Sequence, residues 1–255
     1  MKRNILVFVI LIILFGHSSC SKDESNSADN SGDVTLVKTI VYSDYPFMQE
    51  YTYDGAKLKK LRIDKSGHSG YGDSYYYTFY YTGDLITKIE SYDLNNVLGD
   101  YTDLKYSNKR LVETRSYIGK FLHVKYEYTY NSDGSVGKNV TNYQSDGTVD
   151  HVFSSKAYFD STGNIIKEVT GTNASTIYMY EEKSNPLKNI VGFKEALILE
   201  EFEFSTNNVV TTIDYNGTVQ TYKETRSYEY NTEGFPVSCA ISINGKSNST
   251  RSYYY

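Results

Sequence analysis

The sequence of 255 residues contains no tryptophan, two cysteines, three prolines and four histidines. Two cysteines allow at most one disulfide, so a disulfide-stapled scaffold is excluded. The histidines lie far apart and form no His-x-x-x-His pair, and neither a Gly-x-Ser-x-Gly elbow nor a phosphate loop is present, so we expect no metal and no cofactor. A formal net charge of −5 argues against nucleic acid as a partner, because phosphate binding needs a basic face.

Long hydrophobic runs are also missing, apart from one at the amino terminus. Residues 5–15 form an apolar run after Lys2 and Arg3, and small residues lead from this run to Cys20. Eleven apolar residues are too few for a membrane-spanning helix, which needs about 20. The pattern predicts a bacterial lipoprotein signal peptide over residues 1–19, with lipid on the sulfur of Cys20. The alternative is an ordinary secretory signal followed by an incidental cysteine.

Residues 20–33 are rich in Ser, Asn and Asp and contain almost no apolar side chain. Such a composition buries too little surface to fold, so this segment is predicted to be a flexible tether. Residues 21–24, Ser-Lys-Asp-Glu, resemble the charged tag that directs lipoproteins of the Bacteroidetes group to the outer face of the outer membrane. These features predict an outer-membrane lipoprotein of a Gram-negative bacterium, and they leave open which leaflet holds it.

Tyrosine is abundant, with 28 residues, and it recurs in a regular unit. Each unit has two aromatic or aliphatic residues at positions i and i+2, then Asp, Asn or Ser, often Gly, and then an aliphatic strand. The eight pairs are Tyr51/Tyr53, Phe79/Tyr81, Leu104/Tyr106, Tyr128/Tyr130, Ala157/Phe159, Tyr178/Tyr180, Phe202/Phe204 and Tyr228/Tyr230. Residues i and i+2 share one face of a strand, and the turn residues tolerate positive φ, so each unit is predicted to be a β-hairpin.

Eight hairpins in series predict an all-β antiparallel meander of about 16 strands, in a single domain over residues 34–255. Open sheets rarely exceed about ten strands without curling, so we expect a strongly curled sheet or an incomplete barrel. Asn185 and Pro186 interrupt the repeat and predict either a short helix over residues 187–199 or an irregular flap. In both cases this segment is a candidate plug for an open end of the sheet.

The units at residues 128–136 and 228–237 resemble the tyrosine–aspartate (YD/RHS-like) repeats of bacterial shell and surface proteins. Together with the signal and the Asn185-Pro186 step, the mature chain resembles lipoproteins of the Bacteroidetes group that are built from degenerate copies of this repeat and have no established activity. The resemblance implies a β-repeat fold and an envelope location. It implies no reaction.

Residues 75–81 contain more aromatic side chains than one core face needs. The repeat register places Tyr76 and Tyr80 on the opposite face, where exposed rings can bind a glycan, a peptide or a protein. The alternative is that tyrosine simply favours strands. The sequence therefore favours a non-enzymatic, lipid-anchored binding or accessory module of the cell envelope. An envelope hydrolase, either a glycosidase or an esterase, with an unrecognised site is the alternative, and the carboxylates of Glu181 and Glu182 are too weak a signal to support it.

A membrane-spanning barrel is a third interpretation, since about 16 antiparallel strands fit that class. Such barrels need a continuous apolar band on their outer surface. In this sequence Lys, Glu and Thr alternate with the aromatic residues, and a lipid anchor on Cys20 would be redundant. We therefore expect attachment to the membrane through the N-terminal lipid.

Overall fold

The computed structural model describes residues 34–43, 47–65, 73–196 and 205–255. These residues form sixteen β-strands. The first eight are β1 (Thr39–Tyr42), β2 (Met48–Asp54), β3 (Lys57–Asp64), β4 (Tyr75–Thr82), β5 (Leu85–Asp93), β6 (Leu98–Ser107), β7 (Arg110–Ile118) and β8 (Phe121–Tyr130). The other eight are β9 (Val136–Tyr143), β10 (Val149–Phe159), β11 (Ile165–Thr170), β12 (Ala174–Ser184), β13 (Asn207–Asn216), β14 (Val219–Tyr230), β15 (Pro236–Ile243) and β16 (Lys246–Tyr254).

Each strand pairs antiparallel with the next one along the chain, and β1 also pairs with β16, so the sheet closes into a barrel. In the closing pair Ile40 lies opposite Tyr253, and Tyr42 lies opposite Arg251. The expectation of a curled sheet or an incomplete barrel is therefore wrong. Closure pairs the backbone groups that two free sheet edges would leave open. The short strand β1 makes this possible, and it lies outside the tyrosine repeat.

Buried apolar side chains face the interior of the barrel and gather at one of its ends. This end contains the β2–β3, β4–β5, β6–β7 and β8–β9 turns, and we call it the plug end. Leu58, Ile86 and Leu111 lie next to these turns, and none of them is more than 1% exposed. The opposite end contains the β5–β6, β7–β8 and β9–β10 turns, and we call it the mouth. Because side chains alternate between the two faces of a strand, the residues between the buried ones form the outer wall.

The tyrosine repeat joins neighbouring hairpins at the plug end. The hydroxyl of Tyr130 donates to the carbonyl oxygen of Leu111 at 3.1 Å, and that of Tyr228 donates to the carbonyl oxygen of Val209 at 3.0 Å. Equivalent bonds run from Tyr53 to Val37, from Tyr180 to Ile165 and from Tyr255 to Pro236. Each bond crosses from one hairpin to the next, so these tyrosines are structural residues that combine a buried ring with a satisfied hydroxyl.

The segment after Asn185 and Pro186 covers the plug end. Its side chains Leu187, Ile190 and Phe193 are 3–6% exposed and join the apolar core. Residues 187–196 form turns, so the short helix expected over residues 187–199 is wrong for this part, while 197–199 lie outside the described residues. Within the described ranges no helix is long and apolar enough to cross a membrane.

Gly192 explains why this plug is not helical. Its φ of +84° is a left-handed conformation that favours glycine. A Cβ atom at this position would lie 2.8 Å from the backbone oxygen of Asp84, so the plug backbone touches the β4–β5 turn. The amide of Val191 donates to the carbonyl oxygen of Ala56 at 3.0 Å. The plug thus bonds to a turn of the barrel in addition to its own internal turns, such as the bond from the amide of Ile190 to the carbonyl oxygen of Leu187 at 3.1 Å.

Candidate functional site: the cup and the outer tyrosine cluster

Between the plug and the mouth, the barrel interior contains a cavity of about 510 Å³, which we call the cup. Its wall combines aromatic rings with hydroxyl and amide groups. The inward-facing residues that line it are Tyr77, Ile89, Ser91, Asp100, Thr102, Thr114, Ser116, Ile118, Val124, Tyr126, Tyr128 and Asn142. They come from the six consecutive strands β4 to β9, and the curvature of the closed barrel turns them toward one space.

The hydroxyl groups of the cup lie in pairs across neighbouring strands. Thr102 Oγ1 and Ser116 Oγ are 2.8 Å apart, and Thr114 Oγ1 and Tyr128 Oη are 3.5 Å apart. The rings of Tyr126 and Tyr128 are stacked, with their centroids 6.5 Å apart. Hydroxyl groups both donate and accept hydrogen bonds, and aromatic faces pack against C–H surfaces. The wall is therefore suited to a polar ligand that also has an apolar face.

Two ion pairs lie elsewhere in the described interior. Lys138 Nζ lies 3.2 Å from the carboxylate of Glu168, which also accepts a hydrogen bond from Ser155 at 2.8 Å. Glu224 pairs with Arg226 on the other side of the barrel. These pairs compensate the cost of bringing charges into the interior.

A second cavity, of about 370 Å³, lies beside the plug. Arg226 and Arg251 both line it, and the guanidinium group of Arg251 lies over the ring of Tyr42, 4.8 Å from its centroid. Cys239 on β15 lies opposite Arg251 on β16. The side chain of Cys239 is 1% exposed, and burial raises the pKa of its thiol. Because both guanidinium groups are engaged with wall side chains, we place the candidate binding site in the cup.

The sequence-predicted residues Tyr76 and Tyr80 lie on the outer wall, on β4. The hydroxyls of Tyr80 and Tyr92 each donate to the same oxygen of Glu90 at 2.6 Å. Lys88 Nζ lies 2.7 Å from the other oxygen of Glu90. The ring of Tyr76 stacks on that of Tyr92, with centroids 5.3 Å apart. We call these five residues the outer tyrosine cluster.

Glu90 holds this cluster together. Although it faces outward, it is only 8% exposed, because the neighbouring rings cover it. Burial opposes its ionisation, but the hydrogen bonds from Lys88, Tyr80 and Tyr92 outweigh burial and lower the pKa of Glu90 to about 2. The cluster is thus a fixed polar surface with an ionised centre.

The two predicted ligand-binding tyrosines differ in their surroundings. The ring of Tyr76 has Lys60 Nζ 3.6 Å from its centroid, and its hydroxyl donates to Asn96 at 2.7 Å. Tyr80 is 43% exposed. Ligand binding by this pair stays a prediction, with Tyr80 as the more accessible ring.

Ion pairs continue round the outer wall away from this cluster. They are Glu50 with Arg62, Glu113 with Arg115, and Lys125 with Glu127, at nitrogen–oxygen distances of 3.0–3.1 Å. Barrels that cross a bilayer carry an apolar outer band about 25 Å tall. Here ion pairs lie on the middle parts of strands β2, β3, β7 and β8.

The other residues singled out in the sequence, as far as the structure describes them, form no catalytic or metal site. Cys20 and His68 lie outside the described residues. His123 lies on β8, and His151 on β10 pairs with Asp150 at 2.7 Å. In the ranges that the structure covers, no group of three His, Cys, Asp or Glu side chains could hold a metal ion.

Glu181 and Glu182, the carboxylates considered for glycoside hydrolysis, do not have the arrangement of a catalytic pair. Burial raises the pKa of Glu181, whereas the adjacent Glu182 is exposed. Glycosidases place two carboxylates on opposite sides of one bond, with one of them desolvated. The hydrolase alternative therefore gains no support from these two residues.

Sequence reasoning missed the cup. Its signal is a change from apolar to polar residues along the inner register toward the mouth: Ser91 follows Ile89, and Thr102 precedes Leu104. Polar side chains at inner positions indicate an interior that contains water or a ligand. That signal becomes interpretable only when the sheet is known to close.

Comparison with known proteins agrees with this architecture. No family model matches the chain, and no curated protein matches it. The chain is similar to the crystal structure of a porin-like protein from Bacteroides vulgatus ATCC 8482, at 18% identity and a TM-score of 0.58, covering 87% of this chain and 99% of that one. It shares the porin-like barrel fold. A porin-like protein from Bacteroides uniformis ATCC 8492 is similar at 14% identity and a TM-score of 0.52, with 86% and 96% covered. At such identities the likeness is one of fold alone.

Proposed function

We propose that the protein is a non-enzymatic, lipid-anchored module of the cell envelope that stands in water beside an outer membrane and binds a polar ligand in its cup. The observation that carries this proposal is the combination of a plugged interior with a cup lined by tyrosines and hydroxyl groups. A glycan segment fits this chemistry best, because sugars present both hydroxyl groups and C–H faces.

The outer wall supports a position beside the bilayer. Placing a charged side chain on the lipid face of a barrel costs about 2–4 kcal/mol at the bilayer midplane for Arg or Lys. Arg62, Arg115 and Lys125 would each carry such a cost. The plug adds a second argument against a channel, because Leu187, Ile190 and Phe193 fill the barrel at one end.

Attachment to the membrane then depends on Cys20. Replacing Cys20 with Ala should remove the lipid and shift the protein from the membrane fraction to the soluble fraction. Membrane fractionation of both forms tests this, and an unchanged distribution contradicts the anchor.

Ligand binding is tested with a glycan and peptide array probed with the mature chain made without lipid. Ser116→Tyr fills the cup, and Thr129→Tyr adds the same ring on the exposed outer face of β8 as a matched control. We expect the cup variant to lose at least tenfold in affinity for any captured glycan and the control to bind normally. Equal binding by both variants contradicts the cup. If Tyr76→Ala/Tyr80→Ala alone abolishes binding, the outer tyrosine cluster is the site.

A further inference from the structure

Three consecutive hairpins at the mouth carry exposed apolar side chains. These side chains are 42–61% exposed, and they are Leu94, Val97, Leu98, Ile118, Phe121 and Val149. We call this set the apolar rim. Single exposed apolar residues are ordinary on a protein surface, but six of them on adjacent hairpin tips form a patch, and such patches mark interaction sites.

A row of outward-facing tyrosines lies directly above the apolar rim. Tyr76 is opposite Tyr92 on the neighbouring strand, and Tyr101 is opposite Tyr117. The rings of each pair are stacked, with centroids 5.3 Å and 4.5 Å apart. Tyrosine combines an apolar ring with a polar hydroxyl, and it is enriched where a membrane meets water.

Charged side chains of both signs accompany both layers. Lys120 is exposed on the tip of the middle hairpin, and Asp146 and Asp150 are exposed on the next tip. Lys60 and Lys88 lie over the rings of Tyr76 and Tyr101, at 3.6 Å and 4.6 Å from the centroids. From the tips toward the middle of the wall, the surface therefore changes from apolar to aromatic to charged, where Lys88 is paired with Glu90. A bilayer has the complementary order of acyl chains, interface and phosphate headgroups.

The shape of the apolar rim favours a bilayer over a protein partner. Neighbouring tips are about 10 Å apart, since two strand spacings of about 4.8 Å separate them. A bilayer accepts separate apolar tips without a complementary surface, whereas a stable protein interface needs a continuous, well-packed area. Residues 21–33 can span about 45 Å when extended, and a barrel with strands of up to 12 residues is about 30 Å tall, so an anchor at Cys20 is compatible with either end facing the bilayer.

We propose that the apolar rim docks onto a lipid bilayer, with the mouth of the barrel toward the membrane. The hairpin tips enter the interface, and the tyrosine row and its lysines lie at headgroup level. This contact goes beyond the proposed function, because it does not require lipid on Cys20. It also places the opening of the cup at the membrane surface.

The absence of tryptophan provides a direct test. Val97→Trp places one reporter on the rim, and Met179→Trp places one on β12, at a side chain that is 49% exposed. The mature chain, made without lipid, is mixed with vesicles of phosphatidylethanolamine and phosphatidylglycerol that carry brominated acyl chains. We expect blue-shifted emission and at least twofold quenching for the rim reporter, and no change for the control. Unchanged emission of the rim reporter overturns the proposal.

A second experiment measures sedimentation with the same vesicles. Val97→Asp/Phe121→Asp/Val149→Asp should reduce the bound fraction at least tenfold, and Met179→Asp/Val237→Asp should leave it unchanged. Melting temperatures of both variants establish that the barrel is intact. If the rim variant binds vesicles as the wild type does, the proposal is wrong. If the wild type ignores vesicles and forms an oligomer that the rim variant cannot form, the rim is a protein interface and the proposal is again wrong.

Discussion

The plug end and the mouth are built from the same strands, yet they differ in the burial of their apolar side chains and in the hydrogen bonds between their hairpins. At the plug end Leu58 and Leu111 are fully buried, and tyrosine hydroxyls bond neighbouring hairpins together. At the mouth Val97 and Phe121 are 61% and 58% exposed. Each repeat unit thus concentrates its stabilising residues around one turn, and the other half of its strands carries the polar lining and the exposed tips.

Removal of a buried aliphatic side chain should show the largest difference between the ends. We expect Leu58→Ala to lower the free energy of unfolding by about 2–5 kcal/mol, since it deletes apolar contacts and leaves a cavity. Urea unfolding followed by circular dichroism measures the change. A loss below about 1 kcal/mol would mean that the plug end is not the stable core.

Glycine substitutions compare the backbones of the two ends. Gly192→Ala should destabilise the protein by about 2–3 kcal/mol, because the residue has a positive φ and its new Cβ would meet Asp84. Gly217→Ala at the mouth has a similar φ of +61° but open space, so only the conformational cost of about 1 kcal/mol remains. Thermal unfolding of both variants measures the difference. Equal effects would show that the plug backbone does not press against the β4–β5 turn.

Glu90 lies between the two ends and connects stability to pH. Its folded-state pKa of about 2 is below the usual value of 4.5, so its contribution is fully present above pH 4.5 and is lost as the pH falls toward 2. Glu90→Gln should therefore cost about 2 kcal/mol at pH 7 and much less at pH 2.5. Unfolding titrations of wild type and variant at both pH values test this. A difference that does not depend on pH would contradict an ionised centre.

The smallest effect is expected at the mouth. Val97→Ala should change the free energy of unfolding by less than about 0.5 kcal/mol, because this side chain is already in water. Urea unfolding of Val97→Ala and Leu58→Ala under the same conditions compares the losses in free energy of unfolding at the two ends. A loss comparable to that of the plug-end variant would mean that the apolar rim is packed.

Most of the hairpins could be predicted from the sequence, because their information is local. The units at Tyr178/Tyr180 and Phe202/Phe204 predicted two hairpins where β12 and β13 form one, and Phe202 and Phe204 lie outside the described residues. Pairs such as Tyr51/Tyr53 alternate in the strand period, and Gly55 follows them at a position with a φ of +58°. Closure could not be predicted, because Ile40 and Tyr253 pair across almost the whole chain and only four residues form β1. The helix was wrongly expected because a capping pattern at Asn185 precedes Gly192, whose contact with Asp84 is tertiary.

The candidate sites also have features that the sequence predicts and features that depend on the closed barrel. Strand alternation was sufficient to direct Tyr76 and Tyr80 away from the core. Their partner Glu90 comes from the next strand, and its role depends on the burial that the rings create around it. The cup needs six strands in a closed barrel before Ser91, Thr102 and Ser116 share one space. Local pattern thus indicates the direction of a side chain, and closure decides what that side chain meets.

A barrel that stands in water with its lumen plugged should fold without a bilayer or a micelle. The most direct test is size-exclusion chromatography and thermal unfolding of the mature, unlipidated chain with and without detergent, followed by planar-bilayer recordings. We expect a folded, monodisperse protein in detergent-free buffer, a melting temperature that detergent does not raise, and no stepwise conductance. A protein that folds only in detergent and opens stable pores in a bilayer would contradict this expectation.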